Sequence, residues 1–533
     1  MILRGFPLTS NAKLPERPPS RRSGILLLFA LGVLVLPALS ARALEMREAR
    51  LDLRSAFLPK GANDPEPRPL LEEMLFADLD GDKRKEIVVP GSDGLLRILK
   101  LTGDAARPAL ALWHVVDARI ESDQAGSCYL TAAALDRDGR ESLVIALPRG
   151  IYRLNLTGSP PTALFQLVND RTFFDEGERE PAPRRVDFAA DVTGDGVPEL
   201  WIPERDGMAF WRRDAQGGWE RMAMPPFTLN VRQSFGAAPP ETNRFQPPLQ
   251  RLGFSYSLNY PDLQVMDLDR AGRPELVAVT HRPGPAPTVR AECFPPAGEG
   301  RFAEAPTQVR TAPDDEGNQT FLDWNGDGFL DLLRVESNLD PVRPRTIVKV
   351  FVSPAAREHA FDRPTYRYTT HDPIGMVFFG DWNRDGLADL AWSQFDYSFG
   401  STDDLVDILL GREIDVTLRF AFGRPGGLPG APDQSLRLRI RNRCFSARYF
   451  PPVSMEGDFD GDGGADLLVR TQLDEGQIHL SANRGTRFVE RPAATFPLGE
   501  GGPCLIVDLD GDGKSDVVAA NPEKAEVRVC LSR

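Results

Sequence analysis

An acidic nonapeptide of the form D-x-[DN]-x-D-G-x-x-[DE] recurs along this chain, and no other feature restricts its fold so tightly. Copies begin at Asp78 (DLDGDKRKE), Asp191 (DVTGDGVPE), Asp267 (DLDRAGRPE), Asp323 (DWNGDGFLD), Asp381 (DWNRDGLAD), Asp458 (DFDGDGGAD) and Asp508 (DLDGDGKSD). A degenerate eighth begins at Ala134. It keeps Asp136, Asp138 and Gly139 but has Ala at its first position and Ser142 at its ninth. The successive starts differ by 56, 57, 76, 56, 58, 77 and 50 residues, which marks repetition of one supersecondary unit.

The flanks of each copy define that unit. A short apolar stretch precedes it, such as Met74-Leu75-Phe76, Val377-Phe378-Phe379 or Cys504-Leu505-Ile506-Val507. A β-branched or aliphatic run follows, such as Ile87-Val88-Val89 or Leu467-Leu468-Val469. Short apolar runs bounded by turn residues read as buried strands. Further strand-like pieces stand at 95–101, 347–352, 405–410 and 478–480, while helical periodicity is hard to find. Each unit is then an antiparallel sheet of about four strands, which cannot bury both faces alone; radial stacking against its neighbours solves that. The spacing predicts an all-β chain, a single β-propeller over 44–533 with eight blades, or seven because one turn is degenerate.

The ends support ring closure. After the last copy only two strands remain, at 517–519 and 525–531, while residues 44–53 (LEMREARLDL) alternate apolar and charged ahead of the first copy. This N-terminal strand is expected to complete the last blade and remove an exposed edge. Residues 1–43 read as an export signal: Arg17, Arg21 and Arg22 precede an apolar run from Ile25 to Leu36, followed by the small-residue site Ala41-Arg42-Ala43. Such a run, about a dozen residues, is short for a hydrocarbon core of about 30 Å, so cleavage is expected and no membrane anchor thereafter.

The turn chemistry is that of a hard cation. Calcium takes six to eight oxygens at about 2.3–2.6 Å. In the nonapeptide the side chains at positions one, three, five and nine converge, the seventh residue offers its carbonyl, and glycine at six permits the sharp bend. An EF-hand would need Glu at the twelfth position and a helix after it; the twelfth positions here are Val89, Val469 and Ala519, in apolar runs.

These turns, their spacing and their strand context resemble the FG-GAP/VCBS repeat family, the integrin-alpha-like propellers, over essentially the whole chain after the signal. Phe379-Gly380-Asp381 keeps the Phe-Gly entry, although the Gly-Ala-Pro half is not evident. The resemblance implies a propeller with calcium in the turn between the first and second strands of each blade. The fullest candidate ligand sets are Asp78, Asp80, Asp82 and Glu86; Asp458, Asp460, Asp462 and Asp466; and Asp508, Asp510, Asp512 and Asp516. Asp323, Asn325, Asp327 and Asp331, and Asp381, Asn383, Asp385 and Asp389, replace one carboxylate by an amide oxygen. Asp191, Thr193, Asp195 and Glu199 form a further set. Asp267, Asp269 and Glu275 lack the fifth-position ligand, where Ala271 stands, so weak binding is expected. The Ala134 turn is expected to carry no metal.

Removing the six basic residues and one acid of the signal from a chain of net charge −14 leaves −19, which seven Ca²⁺ would largely offset. At a free concentration ten times Kd, each site would stabilise the fold by about 1.4 kcal/mol, so the ions read as structural. Nucleic acid is excluded as a partner by the charge. Five cysteines (Cys128, Cys293, Cys444, Cys504, Cys530) are too few for a disulfide scaffold. The five histidines (His114, His281, His359, His371, His479) form no HExxH pair, and no GxSxG elbow appears. The two long gaps place extra residues around 213–257 and 423–452. The second holds Arg437, Arg439, Arg441, Arg443 and Arg448 with Phe445, Tyr449 and Phe450, which reads either as a contact for an anionic partner or as a solvated edge strand. The expected function is a monomeric, secreted, periplasmic or cell-surface binding module for a protein or glycan; the alternative is a calcium-dependent polysaccharide lyase.

Overall fold

A computed structural model describes residues 44–533, apart from 58–66, 118–127, 157–163, 169–182, 236–253, 396–412 and some shorter connections. These residues belong to the second of two compact units, 43–533; residues 1–43 lie outside the described residues. Among the described residues there is no α-helix, only three short 3-10 turns. None of their helices is long and apolar enough to cross a membrane.

Eight sheets of four or five strands, here blades 1 to 8, follow one another along the chain, and three two-stranded ribbons accompany them among the described residues. In each blade, an inner strand runs into the acidic turn and a second strand leaves it antiparallel. Blade 1 pairs Leu75–Ala77, Glu86–Pro90, Leu95–Asp104 and Arg107–Asp117 in that order. The second strands begin at turn position nine, and their first two residues are buried. Glu86–Pro90 and Asp516–Asn521, for example, have no exposed residue, as expected for strands covered by blades on both sides.

The stacking is visible in the core. Eight apolar clusters occur among the described residues, one at each junction, including that between blades 8 and 1, where Val518, Val527, Val529 and Leu531 pack with Ile87, Val89 and Leu99. The ring is therefore closed, with eight blades rather than seven. Met46–Asp52 pairs antiparallel with Glu526–Ser532 from Met46↔Ser532 to Asp52↔Glu526, so a strand from the start of the described chain forms the outer edge of blade 8.

Two expectations shift. The strand-like piece at 405–410 lies outside the described residues, and the third strand of blade 6 is Glu413–Ala421 instead. Consequently Gln434–Arg441, within the segment read as an insertion, is the regular outer strand of that blade. Its Leu436, Leu438 and Ile440 are buried while Arg437, Arg439 and Arg441 face outward, and Arg439 pairs with Asp415 on the neighbouring strand. The solvated-edge reading is the one this strand fits; Arg448 and Phe450 lie outside the described residues. In blade 3 the outer strand is Trp219–Met222, and the extra length beyond it contains a hairpin, Asn230–Phe235 with Phe254–Asn259.

Candidate metal-binding turns

Six of the turns are held by their first, fifth and ninth side chains, and the blade 4 turn, with Ala271 at position five, by its first and ninth. The first Asp accepts backbone N–H groups across the bend. Asp458 takes those of Gly461 and Gly463 at 2.8 and 2.9 Å, and Asp191, Asp323 and Asp508 repeat the pattern. Positions four and six must then enter the left-handed region, which favours glycine. Lys83 does so at position six (φ 70°), as do Arg270 and Arg384 at position four (φ 56° and 54°), so the expected glycine is replaceable. The fifth Asp accepts the N–H of position seven: Asp82 from Arg84, Asp195 from Val197, Asp327 from Phe329, Asp385 from Leu387, Asp462 from Gly464 and Asp512 from Lys514.

The ninth residue differs by one methylene, with consequences. In all seven full copies one of its oxygens accepts the N–H of position two, at 2.8–3.0 Å. Where it is Asp, in blades 5 to 8, the other oxygen accepts a second backbone N–H from the end of the third strand: Ser353 to Asp331, Gly423 to Asp389, Ser481 to Asp466 and Ser532 to Asp516. Where it is Glu, the second oxygen lies elsewhere. In blade 3 Glu199 Oε1 accepts the Thr193 hydroxyl at 3.0 Å, and in blade 1 Glu86 Oε1 is buried without a hydrogen-bond partner.

Burial pushes the carboxyls of Glu86, Glu199, Asp331, Asp389, Asp466 and Asp516 up to about 7, neighbouring acids adding to the effect against the backbone donors. Glu275 moves the same way for the same reasons. A cation in the turn would let these groups ionise at neutral pH.

Four turns bring three carboxylates together, with ligand oxygens within 4.8 Å of one another: Asp78, Asp80 and Glu86; Asp267, Asp269 and Glu275; Asp458, Asp460 and Asp466; Asp508, Asp510 and Asp516. Positions one, three and nine converge there, and position five does not join them. An all-oxygen donor set of this kind fits a hard divalent cation, and the unpartnered, buried Asp510 Oδ1 in blade 8 is an acceptor left for one. In blades 5 and 6 the Asn325 and Asn383 amides donate to Asp327 and Asp385 at 3.0 and 3.1 Å. In the degenerate turn Asp136 accepts from Arg153 at 2.6 Å and contacts Arg213 of blade 3, so guanidinium groups stand where a metal would. Two further cations reach acidic turns unforeseen: Lys100 in blade 1 and Arg533 in blade 8, the latter touching Asp510 and lying 3.0 Å from Asp512.

The turns are also tied to one another. The N–H at position eight of one turn donates to the preceding turn: Ala388 to Trp324 O, Ala465 to Trp382 O, Ser515 to Asp458 O, Lys85 to Leu509 O and Glu141 to Asp78 O, at 2.8–3.1 Å. This belt runs from blade 5 through blade 8 to blade 2. At blade 5 the Leu330 N–H goes to the Gln308 side chain instead. In blades 3 and 4 position eight is Pro198 and Pro274, which have no N–H to give. A cavity of about 650 Å³ opens at the junction of blades 2 and 3, lined by Asp136, Thr193, Asp195, Glu199, Arg212 and Arg213.

Sheet order and turns together define an eight-bladed β-propeller with acidic turns between the first and second strands of its blades. Residues 458–526, which hold the blade 7 and blade 8 turns, match the FG-GAP-like repeat, so the family resemblance drawn from the turns is borne out. A solved structure titled as the structural basis of specific recognition of non-reducing terminal N-acetylglucosamine by an Agrocybe aegerita lectin aligns over 75% of this chain and 96% of that chain, at 12% identity and a TM-score of 0.36. No curated protein matches the chain.

The five cysteines are all free thiols, four of them buried. Of the histidines, His114 stands in blade 1, His281 in blade 4, His359 on a short strand beside blade 4 and His479 in blade 7; His371 lies outside the described residues.

Proposed function

We propose that this chain is an exported, non-catalytic binding or scaffold module whose ring is held by calcium on one face and engages a protein or glycan on the other. The observation that carries the reading is the separation of the two faces. In an antiparallel blade the connections alternate between rims, so every acidic turn, joining a first strand to a second, lies on one rim. The three longest stretches between consecutive blade strands, 53–74, 223–261 and 396–412, join second to third strands or successive blades, so the strand ends that flank them lie at the opposite rim. Long connections on a rigid scaffold are where binding concentrates.

Calcium suits the turns because their donors are carboxylate and carbonyl oxygens, the chemistry this ion prefers over softer metals. Bound there, it would neutralise the clustered acids and cross-link the two ends of each turn. The sequence of 1–43 supports export, and the dispersed histidines support the absence of a catalytic centre. Glycan arrays and pull-downs in calcium, with 396–412 replaced by a short Gly-Ser linker as the comparison, test the proposal. Capture should depend on that segment and survive single substitutions in the turns. Turnover of acidic polysaccharides into unsaturated products would overturn the non-catalytic reading, and capture lost only through turn-face substitutions would overturn the assignment of faces.

A further inference from the structure

We propose that Lys100 is a tethered counter-ion that closes the blade 1 turn in place of a divalent cation. The inference deepens the calcium reading above and rests on it for the remaining turns. Lys100 lies within the third strand of blade 1, Leu95–Asp104. Ile87 pairs with Leu99, so one step further Lys100 stands opposite Glu86, the ninth residue of the turn. Its Nζ contacts Asp80 Oδ2 and lies 3.0 Å from Asp82 Oδ2 and 3.7 Å from Glu86 Oε1. The ammonium thus meets three of the four acids assigned to this turn, including the buried Glu86 oxygen that has no hydrogen-bond partner.

The same register step distinguishes the blades. Opposite position nine stand Pro295, Val352, Phe422, Leu480 and Leu531 in blades 4 to 8, none able to carry charge. In blades 5 to 8 the ninth Asp spends its second oxygen on a backbone N–H, whereas Glu86 extends one methylene further into the turn. Blade 4 is the informative contrast: Glu275 likewise extends inward but faces Pro295, and Asp267, Asp269 and Glu275 converge with no ammonium or guanidinium among the described residues. Blade 3 shares the register, with Arg212 opposite Glu199 and lining a cavity with Thr193 and Asp195, but the guanidinium of Arg212 pairs with Glu220 on the outer strand.

A calcium ion and this ammonium require the same oxygens. The ammonium is on the same chain and so meets these oxygens without the cost of capturing a free ion, while calcium sites of extracellular modules are weak, with Kd values of about 10⁻⁴–10⁻³ M. Blade 1, one of three turns with four carboxylates by sequence, is therefore a turn that holds its shape without metal.

Equilibrium dialysis against calcium, together with thermal unfolding in chelator, tests this on the full chain. Lys100→Met should bind one ion more than the unsubstituted protein and, in chelator, melt lower; adding Asp80→Asn to it should restore part of the loss. Asp80→Asn alone should leave the ion count unchanged, whereas Asp460→Asn at the same position of the blade 7 turn should lower it by one. A count lowered by Asp80→Asn would overturn the proposal, as would Lys100→Met with neither an added ion nor a lower melting point in chelator. If the unsubstituted protein binds no calcium and Asp460→Asn changes nothing, the calcium reading fails, while the chelator measurements still decide the role of Lys100.

Discussion

Asp466→Ala isolates what the ninth residue does apart from metal. The side chain is fully buried and its two oxygens accept the N–H groups of Phe459 at 2.8 Å and Ser481 at 2.6 Å, tying the start of the turn to the end of the third strand. Truncation leaves two buried donors without acceptors, each costing about 1–3 kcal/mol, so a loss of about 2–6 kcal/mol is expected even in chelator. Asp462→Ala is the comparison, because Asp462 is exposed and accepts a single N–H, from Gly464; a loss of about 1 kcal/mol is expected there. Urea unfolding followed by tryptophan fluorescence, in chelator and again in calcium, gives both values. If the two variants unfold at the same urea concentration in chelator, the reasoning that position nine is a structural double acceptor is refuted.

Acidity should act in an unusual direction. Without metal, the folded chain keeps protons on Glu86, Glu199, Asp331, Asp389, Asp466 and Asp516 up to about pH 7, where the unfolded chain has already released them. The folded state therefore binds more protons through this window, and stability in chelator should fall as pH rises from about 4 to 7, a trend that saturating calcium should flatten. Melting temperatures across that range, with and without calcium, check the sign. Trp324 and Trp382 occupy position two of the blade 5 and blade 6 turns, so terbium in those turns should luminesce on indole excitation, more weakly in Trp382→Phe and more weakly still in the double variant with Trp324→Phe. Leu53 is fully buried at the junction of blades 8 and 1 and donates its N–H to Ala525 O; Leu53→Ala should cost about 2–5 kcal/mol in the same urea assay.

The repeat, the first two strands of most blades and the number of blades were legible because their signals are local: an apolar run, nine residues of turn, another apolar run. The outer strands were less so. In blade 6 the piece at 405–410 looked as strand-like as the true third strand, Glu413–Ala421, because only pairing distinguishes them. The acids of the turns could be named individually, since they lie within nine residues of one another. The cations that meet them could not. Lys100 is fourteen positions from Glu86, and Arg213 reaches Asp136 from the next blade, so each is placed by strand register or ring packing. Nor did the pattern separate Glu from Asp at position nine, although one methylene decides whether the second oxygen meets a backbone donor.

Pro198 and Pro274 give the ring a weak sector. From blade 6 round to blade 2 an amide proton ties a blade to the backbone of its predecessor, and substitution of side chains leaves that tie in place; at blade 5 the amide proton goes to the Gln308 side chain of blade 4. At blades 3 and 4 the donor is missing from the covalent chain itself. When the circle breathes, separation should begin between blades 2 and 4, and deuterium should enter backbone amides there before it enters the arc from blade 5 to blade 1.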